Sequence, residues 1–106
     1  MILTFVNGYP DYVGYRQLFA GYGNGPASYV TGGDPVTLQN NRRYIDVLFS
    51  ALTVSGTYLV RGIPAAAGER QTWKVKWFVV STGAEVAAAV NLSAETVQMG
   101  GFCGQY

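Results

Sequence analysis

The chain has 106 residues, of which 49% are apolar and 12% charged, and a formal net charge of +1 at pH 7. That length fits one domain able to bury roughly 65% of its unfolded surface. The near-neutral balance gives no electrostatic case for nucleic acid, a membrane surface or an acidic partner. The charged share is about half that of an ordinary soluble protein, which implies that copies of the chain or a partner cover much of its surface.

The first 33 residues differ from the rest. They hold seven of the 14 glycines and five of the eight tyrosines, with only Asp11 and Arg16 as charges. Residues 1–6 read as a short strand stopped by the Asn7-Gly8 turn signal. The following YPDYVGYRQLFAGYG is ambiguous: Tyr12, Tyr15, Phe19 and Tyr22 have helical spacing, whereas Gly14, Gly21 and Gly23 oppose a long helix. The expectation is an extended Gly/Tyr-rich N-terminal arm over 1–33, with at most one helical turn, ahead of a β domain over 34–106. Tyr9, Tyr12, Tyr15, Phe19, Tyr22 and Tyr29 are its candidate contact residues, because tyrosine gives large contacts at low entropic cost. The alternative is that these rings cap the domain's own core.

Gly23–Pro26 and Gly32–Pro35 read as turns, with a short strand over 28–31 between them. A strand starts over 36–38, and QNNRR is a polar loop. In YIDVLFS, the alternation puts Ile45, Val47 and Phe49 on the core face. LTVSGTYLVR alternates as one amphipathic strand over 52–61, with Gly56 marking a bulge or a close approach. A loop over 63–70 leads into TWKVKWFVVS, the clearest strand of the chain, which pairs antiparallel with the preceding one. Trp73, Val75, Trp77 and Val79 share one face; Lys74, Lys76, Phe78 and Val80 share the other. AEVAAAVNLS is expected to be extended, residues 96–99 to form the last strand, and GGFCGQY a tail. The fold class is all-β, a compact antiparallel β-sandwich or barrel.

The absence of histidine removes the commonest general base, the usual catalytic triads and nearly all transition-metal sites. Asp11, Asp34, Asp46, Glu69, Glu85 and Glu95 are scattered, with no pair at short spacing. The lone cysteine, Cys103, precludes an internal disulfide and reads as a small apolar residue. No nucleotide-binding or calcium-binding motif is present. Arg42-Arg43 and Lys74/Lys76 are the basic clusters. Beside aromatic rings they suit single-stranded nucleic acid or sugars, but Lys74 and Lys76 read more simply as the solvated guard of a strand edge. These residues point to a non-enzyme with no catalytic, metal or cofactor site. No signal peptide or membrane-spanning run is read at the N-terminus or elsewhere, which implies synthesis in the cytoplasm.

GDPVTLQNNRRYIDVLFSALTVSGTYLVRGIP, followed by TWKVKWFVVSTGAEVAAAVNLSAETVQMGGF, resembles small virion proteins encoded by tailed bacteriophages, some of which are capsid decoration or cement proteins. The resemblance spans residues 33–102, and WFVVSTGAEVA and NLSAETV carry it most clearly. It implies a structural protein made in the host bacterial cytoplasm and placed on the capsid surface of the virion. The implied partners are the major capsid protein and further copies of the chain, in a homotrimer. A carbohydrate- or ligand-binding β module of a phage tail or adhesin, with Trp73 and Trp77 exposed, and a head–tail completion protein are the alternatives.

Overall fold

A computed structural model describes residues 1–13, 16–39 and 44–104 of the chain, with the side chains of Tyr12, Val13 and Arg16 left aside. The described residues contain no α-helix, and nine strands make one mixed sheet. In chain order these are β1 (Ile2–Phe5), β2 (Asp11–Val13), β3 (Arg16–Asn24), β4 (Asp34–Leu38), β5 (Ile45–Leu48), β6 (Ala51–Leu52), β7 (Tyr58–Pro64), β8 (Trp73–Val79) and β9 (Thr96–Cys103). They lie in the order β5-β9-β3-β1-β4-β8-β7-β6, with β2 added to β3. All pairs are antiparallel except β1 with β4, which run parallel.

The sheet curls into a half-barrel, and residues 45–54 draw its two ends together. The first part of this segment pairs with β9, and Ala51 and Leu52 then pair with Val60 and Leu59 of β7. Thr53 next bridges Val97, and the Val54 N–H donates to the Thr96 carbonyl at 2.8 Å. Two irregular segments, 25–33 and 84–95, are bonded to each other across the inner face. Leu92 N–H donates to Pro26 O at 2.8 Å, Tyr29 N–H to Val90 O at 3.0 Å and Ala89 N–H to Tyr29 O at 2.8 Å. They deliver Tyr29, Val86 and Leu92 to the same buried cluster as Leu3, Phe5, Phe19, Val75 and Trp77.

Strand β8 follows the alternation in its sequence: Trp73, Val75 and Trp77 are buried, while Lys74, Lys76 and Phe78 face outward. Trp73 Nε1–H donates to the Ile45 carbonyl at 2.9 Å. The Trp77 indole packs edge-on to Tyr58, with ring centroids 6.0 Å apart.

Several expectations are corrected. Residues 1–33 do not form an extended arm in front of a body. β1 and β3 occupy the middle of the sheet, and β3 pairs with β9 from Gln17–Cys103 to Asn24–Thr96. The stretch with helical spacing is the β2–β3 hairpin. The core face of β5 switches at a bulge between Ile45 and Val47, so Leu48 is buried and Phe49 exposed. Residues 52–61 turn back as the β6–β7 hairpin. Residues 28–31 are not a strand, and residues 84–92 contribute only a single bridge, Phe78 to Glu85. The last strand continues through most of the expected tail, to Cys103.

Candidate functional site

The acidic side chains build structure. Asp34 Oδ2 accepts from the Met1 ammonium at 3.1 Å, and Asp46 Oδ1 accepts from Arg70 Nε at 2.5 Å. Glu69 Oε1 accepts three successive backbone N–H groups, those of Arg70, Gln71 and Thr72, and so ties off the loop before β8. Ser55 Oγ–H donates to Glu95 Oε1 at 2.6 Å.

Glu85 is the most elaborately held. Its Oε2 accepts from the Tyr29 hydroxyl at 2.7 Å and from Gly32 N–H at 2.8 Å, while the Tyr29 oxygen accepts from Trp77 N–H at 3.2 Å. The Tyr29 hydrogen bond, helped by the Gly32 N–H and the Lys76 charge, holds the Glu85 carboxyl below its usual range. Burial, with the Glu85 hydrogen bond second, pushes the Tyr29 phenol up to about 12. Tyr29 is buried beneath the sheet, so this cluster pins a loop. Among the described residues no group of three His, Cys, Asp or Glu side chains is placed to hold a metal ion. Cys103 is buried.

The outer surface of the sheet divides into two faces of different chemistry. On the first, formed by β1, β3 and β9, Ile2 and Thr4 point outward from β1, and Leu18, Ala20, Tyr22 and Asn24 from β3. Thr96, Gln98, Gly100 and Phe102 do so from β9. In register, Tyr22 stands between Thr4 and Gln98, and Leu18 between Asp11 and Phe102. Asp11, at the end of this face, is the only charge among these residues. Ile2 is 64% exposed, Tyr22 44% and Leu18 37%, so apolar groups lie open to solvent on a face where Asp11, beside Leu18, is the one charge among the described side chains. A groove of about 300 Å³ runs into this face between Tyr9 and Phe49, floored by Ala20 and Gly100, with Asn7 and Asp11 at its edge. Phe49 packs edge-on to Phe102 with centroids 6.2 Å apart.

The second face belongs to β7 and β8. Arg61 and Lys76 are directly opposite each other, as are Ile63 and Lys74, and Leu59 and Phe78. A groove of about 340 Å³ adjoins them, lined by Leu52, Leu59, Arg61, Phe78 and Val80.

Of the six aromatic contact residues expected from the sequence, four have described side chains, and the fold brings two of those to the surface. Tyr9 and Tyr22 are exposed, whereas Phe19 and Tyr29 are buried in the core, where Phe19 packs edge-on to Phe5. For Tyr12 only the backbone, in β2, is described, and Tyr15 lies outside the described residues, as do Arg42 and Arg43. Leu18, Phe49 and Ile2 were missed. Period-two alternation around Phe19 marks Leu18 as outward once β3 is a strand, but the bulge that exposes Phe49 leaves no sequence signal. No protein-family profile matches the chain, and neither a curated protein nor a solved structure shows significant similarity to it.

Proposed function

We propose that this chain is a non-enzymatic structural component of a virus particle: a decoration, or cement, protein that binds the outer capsid surface and stabilises the shell. In this reading it acts as a homo-oligomer, a trimer, in contact with the major capsid protein. The observation that carries the proposal is the outer face of β1, β3 and β9, where Ile2, Leu18 and Tyr22 lie exposed and Asp11 is the one charge among the described side chains. A free monomer with so few charges would be expected to place them there; a surface covered by a copy or a shell subunit has no need of them. The resemblance over residues 33–102 supports the viral setting. Its mechanism is burial of apolar area, multiplied by the symmetry of the particle.

Two measurements test this. Purified particles from the source should contain the polypeptide in simple proportion to the major shell protein; a handful of copies per particle would indicate a head–tail component, and absence would sink the virion reading. Sedimentation of the isolated protein should show an oligomer that Leu18→Glu or Tyr22→Glu converts to folded monomer. A monomeric wild type removes the self-association part.

A sugar-binding module is the second reading. It loses Trp73 and Trp77, which are buried, but the groove between Tyr9 and Phe49, edged by Asn7 and Asp11, pairs ring surfaces with hydrogen-bonding groups. Glycan titration monitored at Tyr9 separates it from the first reading.

A further inference from the structure

We propose that the outer face of β7 and β8 is a docking site for an acidic, amphipathic segment of a partner protein. The case starts from where the cations are. Among the described side chains, Arg61, Lys74 and Lys76 are cations without an ion pair, and all three share this face; Arg70 is bound to Asp46. Glu85, opposite Phe78, feels the Lys76 charge, but its Oε2 is held by the Tyr29 hydroxyl and the Gly32 N–H. The face therefore carries positive charge that the chain itself leaves largely uncompensated.

This placement has a cost in the isolated protein. Arg61 and Lys76 are direct cross-strand partners, and like charges so placed destabilise a sheet. Guarding an edge does not explain them, because β8 is paired on both sides, by β4 and by β7. Solubility does not explain them either, since a soluble surface intersperses both signs, whereas the described side chains of the neighbouring outer face carry one charge, Asp11. An anionic partner accounts for the arrangement: carboxylates between Arg61 and Lys76 and beside Lys74 would relieve the repulsion and fix the register of the bound segment.

The chemistry of the occupant follows from what lies beside the cations. The groove along Leu52, Leu59, Phe78 and Val80 is apolar, with Leu52 55% and Val80 50% exposed. A polypeptide alternating acidic and apolar side chains satisfies both halves of the face at the two-residue period of the strands beneath it. Nucleic acid fits less well. Phe78 is the one ring on this groove among the described residues, and the Arg61 guanidinium stands over it at 6.0 Å, where a stacking base would have to lie. The inference is independent of the viral reading and concerns a different face.

The test uses the full chain and a short synthetic peptide in which glutamate alternates with leucine, fluorescently labelled. It should bind wild type with an affinity that falls as salt rises, and Lys74→Gln/Lys76→Gln or Arg61→Gln should weaken it by about tenfold, the factor that roughly 1.4 kcal/mol represents. Leu52→Ser/Val80→Ser should weaken it with the salt dependence unchanged. The lysine double variant should melt no lower than wild type, since it removes repulsion. Failure of the peptide to bind wild type, equal binding to the lysine variant, tighter binding of oligo-dT than of the peptide, or a lowered melting temperature in the lysine variant would each overturn the proposal.

Discussion

Tyr29 and Glu85 lie 56 positions apart in sequence and are joined by a 2.7 Å hydrogen bond that locks two irregular segments onto the inner face of the sheet. The tyrosine oxygen also caps the backbone N–H of Trp77 in β8. Removing the hydroxyl in Tyr29→Phe leaves that buried N–H without its acceptor, and should cost about 1–3 kcal/mol in urea unfolding. A loss below that range would mean that the N–H finds another partner.

The same pair sets the pH response. Because folding lowers the Glu85 pKa, its contribution is complete above the ordinary carboxylate range and is lost as pH falls through the lowered value. Tyr29 acts in the opposite sense. Its pKa rises to about 12 on folding, so its contribution is complete below the ordinary phenol value of about 10 and disappears as pH climbs towards 12. Unfolding free energies measured across pH should show Glu85→Gln with a flatter acid limb and Tyr29→Phe with a flatter alkaline limb.

Ala89 has φ of 68°, in the left-handed region, and is the one non-glycine residue with positive φ among those described. It is held there by its own N–H, which donates to the Tyr29 carbonyl. An L-residue with a Cβ pays about 1–2 kcal/mol for that conformation. Ala89→Gly removes the strain at the expense of a freer unfolded chain, and a net stabilisation of about 0.5–1 kcal/mol should appear as a raised melting temperature.

Gly101 of β9 pairs with Leu48 of the neighbouring β5, and an added Cβ would collide with the Val47 carbonyl oxygen. Since that oxygen is backbone, nothing can yield except the pairing itself. Gly101→Ala should therefore detach β5 and destabilise the protein by about 3 kcal/mol or more, seen as loss of amide protection over residues 45–48.

Removing residues 1–24 deletes β1 and β3 from the centre of the sheet, parts the β5–β9 pair from the β4–β8–β7–β6 strands and leaves β9 and β4 each bare along one edge. The truncated chain should show no cooperative unfolding transition and no dispersed amide spectrum. A folded product would contradict the strand order.

The unequal legibility of the sequence has physical causes. Strand β8 was readable because each face has one job: indoles and valine inward, lysines outward. β3 was not, because its glycines look like flexibility. At Gly23, however, a Cβ would stand 2.7 Å from the Ile2 carbonyl oxygen, so the missing side chain serves a close approach of two strands. In β5 a single bulge inverts the faces after Ile45, and no propensity announces it. Bonds that shape 84–95 come from Pro26 and Tyr29, far away in the chain, so local pattern had little to report. The candidate surfaces share this property, since both require knowing which strands are neighbours.

Strand β9 also determines when the protein can first exist as such during synthesis. It is the last strand made, yet it lies between β3 and β5 and bridges Thr53. Until Thr96–Cys103 clears the ribosome, β3 offers a bare edge along Gln17–Asn24, and β5 has no strand to pair with. Such topologies fold slowly and are exposed to sticking while incomplete. A nascent chain arrested before residue 96 should engage chaperones, and release of a few more residues should free it.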